Sequence, residues 1–388
     1  MIRVSIQQPV VASYRLALFN ELESDDRFRL QLFASEGIPG CPPSCLQQGI
    51  FQATECEYVS LAGDVIVWQK SVREALEDTD VLVVCGNPRY LSSLELLLAA
   101  KRRGISTIWW GHGWSATSKP WRTILRKWFM KNLPDLLLLY TQKEADDFIE
   151  MGFRKETTLY LNNTIDTRPM ETARQRWSGQ PLEEFKRKHE LNDKITLLYC
   201  GRMTEKSDLS TLIQAMAHLK NESCDAVRLI MIGDGESLVR SKQLSSRLGL
   251  DGVITWCGSI YPEYDLAPWF MSSSLFVFPG SIGLSINHAF AYGLPVITHN
   301  NPLQQGPEFS YLREGINGCT FRRSDSHGLS SLIRQLIDQP DRLEWMSREA
   351  MRTIREVCPF DGMVRRFGDA LMMAASGIIQ TGGSTARL

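Results

Sequence analysis

The stretch LFVFPGSIGLSINHAFAYGLPVITH, from Leu275 to His299, decides the fold class of this 388-residue chain. An apolar run of strand length ends at a glycine-bearing turn, a helical pattern follows, and a second apolar run begins at Pro295. Strand, turn, helix and strand in this order form the unit from which parallel sheets are built. The stretch therefore predicts an α/β fold.

The same alternation of strand and helix patterns runs through most of the chain. The early apolar runs are IRVSIQ, FRLQLFA, VLVVCG, STIWWG, LLLLYT and TTLYLNN. A polar stretch after Asp166 interrupts the rhythm, and ITLLYCGR, VRLIMIGDG and VITWCGSI restart it. The pattern predicts two doubly wound, Rossmann-like domains that face each other across a cleft, with ligands bound at the carboxyl ends of the strands.

The interruption near residues 170 to 190 sets the predicted domain limits. The first domain is predicted to cover residues 1–175 and the second residues 176–355. Residues 356–376 are predicted to form a helix that crosses back to the first domain, and the Gly- and Ser-rich residues 377–388 a flexible tail.

Composition narrows the class of protein without naming a partner. The chain has 43 Lys and Arg against 44 Asp and Glu, so its net charge singles out no ligand. Its nine cysteines show no paired metal-ligand spacing, which favours reduced thiols in the cytoplasm and predicts no metal. No apolar run approaches the roughly 20 residues of a membrane-spanning helix. We expect a cytoplasmic protein, soluble or peripheral to a membrane.

A loop with two cations follows the first strand of the second domain. In ITLLYCGRMTEK the strand ends before Gly201, and Arg202 and Lys206 stand four residues apart at its carboxyl end. Two cations so placed can clamp a diphosphate and neutralise charge on a leaving group. The alternative is an ordinary solvated loop.

The glycine-bearing turn of the opening stretch is a second candidate phosphate site. Small residues let backbone N–H groups approach an anion, and here these are Ser281, Ile282, Gly283 and Leu284. His288 lies one helical turn beyond Leu284 and is predicted to face the same cleft. A structural histidine in the core is the alternative for His288.

These motifs together resemble a known family of enzymes. GRMTEKSDLSTLIQAM, LIMIGDGES, WCGSI and FVFPGSIGLSINHAFAYGLPVITH, in this order, resemble the retaining, two-domain glycosyltransferases of the family 4 type, which have the GT-B fold. The resemblance is strongest from Ile195 to Gly318 and weaker before it. It implies a nucleotide-sugar donor, no other cofactor and transfer with retention of configuration.

The resemblance assigns roles to several residues of the second domain. Arg202 and Lys206 would hold the donor diphosphate and act in catalysis, with Gly201 and Gly258 also contacting the donor. The family carries two glutamates eight residues apart near the turn, and in this chain those positions are Gly280 and His288. An imidazole can still hydrogen-bond a ribose hydroxyl. Glu308 resembles a family glutamate that orders the loop or the phosphate site, with a surface position as its alternative.

The first domain offers fewer matches. His112, in WWGHGWS, follows a strand where the family has a histidine near the donor sugar. It is predicted to contact donor or acceptor as a catalytic residue, with a structural role as the alternative. Ser13, Tyr14 and Arg15 replace the glycine-bearing loop that covers the phosphates in the family. Tyr14, Arg15 and Trp114 are predicted to contact the acceptor instead.

A basic segment of the first domain suggests a membrane surface. From Lys101 to Lys131 there are eight basic residues and no acidic one. The helix predicted over 119–132 carries an apolar stripe with Arg122, Arg126 and Lys127 beside it, which suits an anionic membrane surface. The stripe consists of Trp121, Ile124, Leu125 and Trp128. The alternative is a helix that packs this stripe on its own sheet.

The sequence therefore predicts a retaining glycosyltransferase at the inner face of the cytoplasmic membrane. It would transfer a hexosyl or deoxyhexosyl group from a nucleotide sugar to a glycan or lipid-linked acceptor in bacterial surface polysaccharide synthesis, such as that of lipopolysaccharide. Nucleic acid is not expected, because no stacking aromatics accompany the charge. The alternatives are a degenerate, scaffold-like relative and a sugar-nucleotide epimerase.

Overall fold

The computed structural model describes residues 1–61, 66–70, 72–113, 120–192, 194–222, 224 and 226–377. The chain divides into two compact units. Unit 1 comprises Met1–Asp166 with Phe360–Leu388, and unit 2 comprises Thr167–Pro359. The predicted limits were residues 175 and 355, and the structural division instead follows Asp166 and Pro359. The predicted tail beyond residue 377 lies outside the described residues.

Unit 1 is built on a parallel sheet of seven strands in the order β3-β2-β1-β6-β7-β8-β9. Its strands, with a separate antiparallel pair β4 and β5, are β1 Ile2–Gln7, β2 Phe28–Ala34, β3 Gln52–Glu55, β4 Tyr58–Leu61, β5 Ile66–Gln69, β6 Val81–Cys85, β7 Ser106–Trp110, β8 Leu136–Leu139 and β9 Thr158–Tyr160. Apolar residues fill both faces of the sheet, as parallel sheets require. In β6, Val81 and Val83 enter one core while Leu82 and Val84 enter the other.

Helices cover both faces of this sheet. The first four helices are α1 Ser13–Glu23, α2 Leu91–Arg103, α3 Pro120–Asn132 and α4 Gln142–Glu150. Leu18 of α1 packs on one face, while Leu97 of α2 and Phe148 of α4 pack on the other. The last helix of the chain also belongs to unit 1 and is described after unit 2.

Unit 2 is a second parallel sheet of six strands in the order β12-β11-β10-β13-β14-β15. The strands are β10 Ile195–Cys200, β11 Val227–Ile232, β12 Ile254–Gly258, β13 Leu275–Phe278, β14 Val296–His299 and β15 Gly318–Phe321. Its helices are α5 Arg168–Trp177, α6 Gln180–Lys188, α7 Leu209–Asn221, α8 Leu238–Arg247, α9 Glu263–Met271, α10 Ser285–Ala291, α11 Ser326–Ile337 and α12 Pro340–Glu356. The polar stretch that interrupts the strand rhythm thus forms α5 and α6.

The C-terminal helix α13, Phe360–Ala375, completes unit 1 rather than unit 2. Its apolar side chains, among them Met363 and Phe367, enter the core that Leu18 of α1 also joins. Phe367 meets Trp110 of β7 edge to face, with ring centroids 5.0 Å apart. A chain segment distant in sequence therefore closes one face of the first sheet.

The strand orders fix where each sheet can bind a ligand. In unit 2 the direction of strand addition reverses between β10 and β13, and in unit 1 it reverses between β1 and β6. Open parallel sheets bind ligands outside the carboxyl ends of the strands at such a reversal. In unit 2 the two loops at that point are residues 201–207 and 279–284, which are the two predicted from sequence.

Candidate functional site

The loop after β10 presents two cations to solvent. Gly201 follows the last residue of the strand, and Lys206 lies in a 3-10 turn, Glu205–Ser207. Arg202 and Lys206 are both exposed. Neither makes an ion pair with another described residue, although acidic side chains such as Glu205 are close in sequence. Both cations are therefore available to a ligand.

Gly280 allows this loop to touch the turn after β13. A Cβ atom on Gly280 would come within 2.6 Å of Ser207 Cα and closer still to the carbonyl oxygen of Lys206. The N–H of Ser281 donates to that same carbonyl oxygen at 3.2 Å. The two predicted phosphate loops thus lie directly against each other, and a glutamate at position 280 would not fit.

Two of the four predicted turn amides already have partners. Besides Ser281, the N–H of Ile282 donates to Gln305 Oε1 at 2.7 Å. The amides of Gly283 and Leu284 donate to no other described residue. An anion at this turn would therefore be bound by the latter pair. Helix α10, which follows, has seven residues and no acidic side chain in its first turn.

Glu308 lies beneath the same turn. It is 3% exposed, so the surface alternative was wrong. Its Oε2 atom lies 3.8 Å from the position that a Cβ on Gly283 would occupy, and Gly306 donates its N–H to the carbonyl of Ile282 at 2.9 Å. Glu308 is placed to hold the turn in shape.

His288 is paired with a carboxylate that the sequence motifs did not identify. Its Nε2 lies 3.1 Å from Oε1 of Glu263, the first residue of α9, and its ring stacks on Phe270 at 4.4 Å. Tyr292 donates its hydroxyl to the same Glu263 oxygen. Burial raises the pKa of Glu263, but the hydrogen bonds from His288 and Tyr292 outweigh burial and lower it. Glu263 is therefore ionised at neutral pH.

Glu263 also belongs to the carboxyl edge of the sheet. Its charge acts on Cys200 at the end of β10, and burial, with a smaller contribution from Glu263, raises the pKa of that thiol to about 12. Gly258, at the end of β12, has φ +70°, and its carbonyl accepts the N–H of Gly233 at 2.8 Å. The predicted donor residues of unit 2 thus gather at one edge of one sheet.

In unit 1 the predicted His112 lies beyond the end of β7. Its ring centroid is 4.5 Å from that of Tyr140, and its buried Nδ1 atom has no hydrogen-bond partner in the part of the chain that the structure describes. Burial lowers the pKa of His112 to about 4, and the charges of Arg126 and Arg15 add to the effect. The imidazole is therefore neutral at pH 7. His112 thus places an uncharged hydrogen-bonding group beyond the end of β7.

The predicted acceptor residues of unit 1 have different surroundings. Tyr14 is exposed, whereas the guanidinium of Arg15 is buried and donates to Asn163 Oδ1 at 2.6 Å. The guanidinium carbon also lies 4.8 Å from the ring centroid of Trp110. Trp114 lies outside the described residues.

Helix α3 exposes most of the predicted apolar stripe. Ile124 is 70% exposed and Trp128 is 55% exposed, and Leu125 is exposed as well. The side chain of Trp121 is outside the described part of the structure. Arg126, predicted to stand beside the stripe, is instead buried. The three described side chains of the stripe therefore do not pack on the sheet of unit 1. Within the described ranges, no helix combines the length and apolar character needed to cross a membrane.

Comparison with known proteins identifies relatives for part of the chain. Residues 194–339, which lie in unit 2, match the sequence profile of the family described as "Glycosyl transferases group 1". A lipopolysaccharide core biosynthesis glycosyltransferase of Rhizobium meliloti is 25% identical over 206 residues, which are 52% of this chain and 54% of that protein. The chain therefore spans about half the length of this curated relative.

Solved structures match over nearly the whole chain. HepE of Anabaena, crystallised with UDP, aligns with a TM-score of 0.73 at 16% identity, covering 96% of this chain and all of the other. A glycosyltransferase of Rickettsia africae aligns with a TM-score of 0.75 at 13% identity, covering 98% and 99%. A putative UDP-N-acetylglucosamine 2-epimerase of Listeria monocytogenes reaches 0.65 at 13%, covering 100% and 99%. These likenesses show the GT-B fold with its two Rossmann-like units.

Proposed function

We propose that the chain is a retaining glycosyltransferase of the family 4 type. Unit 2 binds a nucleotide sugar, and the sugar is transferred to a glycan or lipid-linked acceptor in the synthesis of a bacterial surface polysaccharide. The reaction uses no metal and no cofactor besides the donor.

The observation that carries this proposal is the close approach of the two loops at the strand-order reversal of unit 2. Gly280 lets the Lys206 turn lie against the Gly283 turn, inside the region that matches the glycosyltransferase profile. Two unpaired cations and two free amides at one sheet edge suit a diphosphate. A rival function must explain the same arrangement.

The proposed chemistry needs no protein nucleophile. The acceptor hydroxyl attacks the anomeric carbon on the face that the diphosphate leaves, so that one C–O bond forms while the bond to phosphate breaks. The hydroxyl proton passes to a diphosphate oxygen. Arg202, Lys206 and the amides of Gly283 and Leu284 stabilise the charge that grows on the leaving group.

His288 takes the ribose position in this proposal. With Nε2 engaged by Glu263, its Nδ1 makes no hydrogen bond to another described residue and is free to meet a ribose hydroxyl. Glu263 supplies the negative charge that the glutamate of the family would bring. In unit 1, the neutral His112 offers a hydrogen bond to a substrate bound at that sheet.

The exposed face of α3 is the proposed contact with the inner face of the cytoplasmic membrane. Three large apolar side chains stand in solvent on a helix that also carries Lys127 and Lys131. Apolar insertion together with attraction of cations to anionic lipid is how interfacial helices bind. A lipid-linked acceptor would be presented at that surface.

The test is donor binding and transfer by the purified full chain. A panel of UDP-, GDP- and dTDP-sugars is screened by thermal stabilisation, and donor hydrolysis or transfer is then measured with the donor that binds. Arg202→Ala or Lys206→Ala should each lower turnover by about 10²-fold, the usual cost of removing one group that stabilises transition-state charge. Lys188→Ala, an exposed cation on α6, is the control that should change nothing.

The outcomes separate the rival functions. A folded chain that binds a donor but neither transfers nor hydrolyses it would be the degenerate scaffold. Conversion of the donor sugar without any acceptor would indicate the epimerase. Wild-type turnover in both the Arg202 and Lys206 variants would refute the assignment of the diphosphate site.

A further inference from the structure

Unit 1 contains two buried arginines, beside the neutral His112, to which the proposed reaction assigns no role. Arg15 and Arg126 are 8% and 9% exposed. The ring centroid of Tyr140 lies 4.5 Å from that of His112 and 5.4 Å from the guanidinium carbon of Arg15, and the charges of Arg126 and Arg15 both help to lower the pKa of His112. Arg15 lies in the first turn of α1, which follows β1, Arg126 lies in helix α3, and His112 lies in the loop after β7. The first and third of these positions lie at the carboxyl edge of the sheet, where ligands bind.

Arg126 is the least satisfied member of the cluster. Among the described residues, its buried Nη1 atom has no hydrogen-bond partner, and Nη2 makes one long contact of 3.4 Å, to Asn87 Oδ1. Asn87 follows β6, so the guanidinium reaches the strand-order reversal of this sheet. A buried guanidinium without a partner is costly, because its desolvation is not compensated.

Arg15 and His112 have hydrogen-bonding atoms that the described contacts do not use. Arg15 donates Nη1 to Asn163, while Nδ1 of His112 is buried and unpartnered. The carboxylate charge of Glu144 acts on Arg126. The oxygens of Glu144 accept the backbone N–H groups of Gly113 and Tyr140. The charge of this carboxylate offsets part of the positive charge of Arg126.

We propose that Arg126, Arg15 and His112 form a phosphate-binding site in unit 1, which takes a phosphate group carried by the acceptor. A guanidinium fork and a second guanidinium match the two charges and several oxygens of a phosphate better than the single charge of a carboxylate. This inference rests on the proposed function, because it names the chemical class of the acceptor as a phosphate ester or diphosphate.

The location of the cluster in unit 1 indicates which substrate carries the phosphate. The donor diphosphate has its own unpaired cations, Arg202 and Lys206, in unit 2, within the region that matches the glycosyltransferase profile. The cluster of Arg126 belongs to the other sheet. A donor phosphate and an acceptor phosphate are nevertheless the same chemistry, so the experiment has an arm for each.

The first arm measures binding of inorganic pyrophosphate by calorimetry. The full chain carries Arg202→Ala and Lys206→Ala, which remove the two cations of the candidate site in unit 2. Adding Arg126→Met should weaken pyrophosphate binding by about tenfold or more. Adding Arg102→Gln, at an exposed arginine of α2, should change it less than about twofold. Equal affinity in the Arg126→Met and Arg102→Gln chains would overturn the site.

The second arm distinguishes a binding role from a structural one. Because Arg126 is buried and poorly paired, Arg126→Met should leave the urea midpoint of the otherwise wild-type chain unchanged or raise it. A structural arginine would lower that midpoint. A clear fall in the midpoint would therefore refute the proposal even if phosphate binding were also lost.

The third arm identifies the source with Arg202 and Lys206 intact. Arg126→Met should raise the KM for a phosphate-bearing acceptor while the affinity for the nucleoside diphosphate stays within about twofold. A parallel loss of nucleoside diphosphate affinity would show that the site binds the donor and would refute its assignment to the acceptor. Should no sugar nucleotide react at all, pyrophosphate binding that depends on Arg126 would still establish the site, while the proposed transferase would fail separately.

Discussion

Replacing Gly280 with alanine tests whether the two loops of the donor site touch. In Gly280→Ala the new methyl group would lie 2.6 Å from Ser207 Cα and nearer still to the Lys206 carbonyl. Unstrained carbon contacts are about 3.5–4.0 Å, so the overlap is roughly 1 Å. Both obstacles are backbone atoms and cannot rotate away. One of the two loops must therefore move.

The expected cost follows from that displacement. Overpacking by a methyl group in a close-packed site costs about 1–3 kcal/mol. Moving the loops apart also weakens the hydrogen bond from Ser281 to Lys206, which contributes about 1 kcal/mol. A total of about 2–4 kcal/mol should lower the melting temperature by roughly 4–15 °C for a unit of this size.

The assay compares two alanine variants of the same turn. Gly283→Ala is the matched control, because its methyl group would find its nearest neighbour, Glu308 Oε2, at an ordinary 3.8 Å. Urea unfolding and nucleoside diphosphate binding are measured for both chains. Gly280→Ala should lose stability and donor affinity together as the Lys206 turn shifts. Equal unfolding midpoints for the two variants would refute the packing of the loops.

Two further predictions concern the carboxylate beside His288 and the exposed face of α3. Because the folded pKa of Glu263 is lowered, its stabilisation is present above the ordinary carboxylate pKa of about 4 and is lost as pH falls through the folded value. The stability deficit of Glu263→Gln in urea should therefore be larger at pH 7 than at pH 3.5, and an equal deficit would contradict the lowered pKa of Glu263 and its hydrogen bonds with His288 and Tyr292. Trp128→Ser should lower binding to anionic vesicles by about tenfold, since burying such a side chain contributes about 1.5–3 kcal/mol. Val239→Ser, at an exposed apolar residue of unit 2, is the control, and equal losses in sedimentation would exclude α3 as the membrane contact.

The fold and the placement of the donor loops could be predicted from local sequence patterns. Strand and helix periods in stretches such as Leu275–His299 are local properties, and parallel strands with alternating helices admit few topologies. The order of the strands then brings the loops at 201–207 and 279–284 to one edge without further information. Even the exposed apolar stripe of α3 was visible as a pattern.

The partners of individual side chains could not be predicted in this way. Glu263 lies 25 residues before His288 on a different helix, and only the packing of α9 against α10 reveals the pair. Arg126 belongs by sequence to a basic surface segment, yet the rotation of α3 buries it. Both cases depend on how an element is turned about its axis, which a sequence with few polar landmarks does not fix.

The missing glutamate at position 280 has a steric explanation. Position 280 carries a glutamate in the family that the sequence resembles. In this chain it is glycine, and the Lys206 turn occupies the space that a side chain would need. Negative charge at this edge of the sheet comes instead from Glu263, through His288, and from the buried Glu308 beneath the turn. A glutamate restored at Gly280 would displace the turn that carries Lys206. Loss of that acid is therefore compatible with an intact diphosphate site, because the same change that removes a carboxylate brings a cation and two amides together.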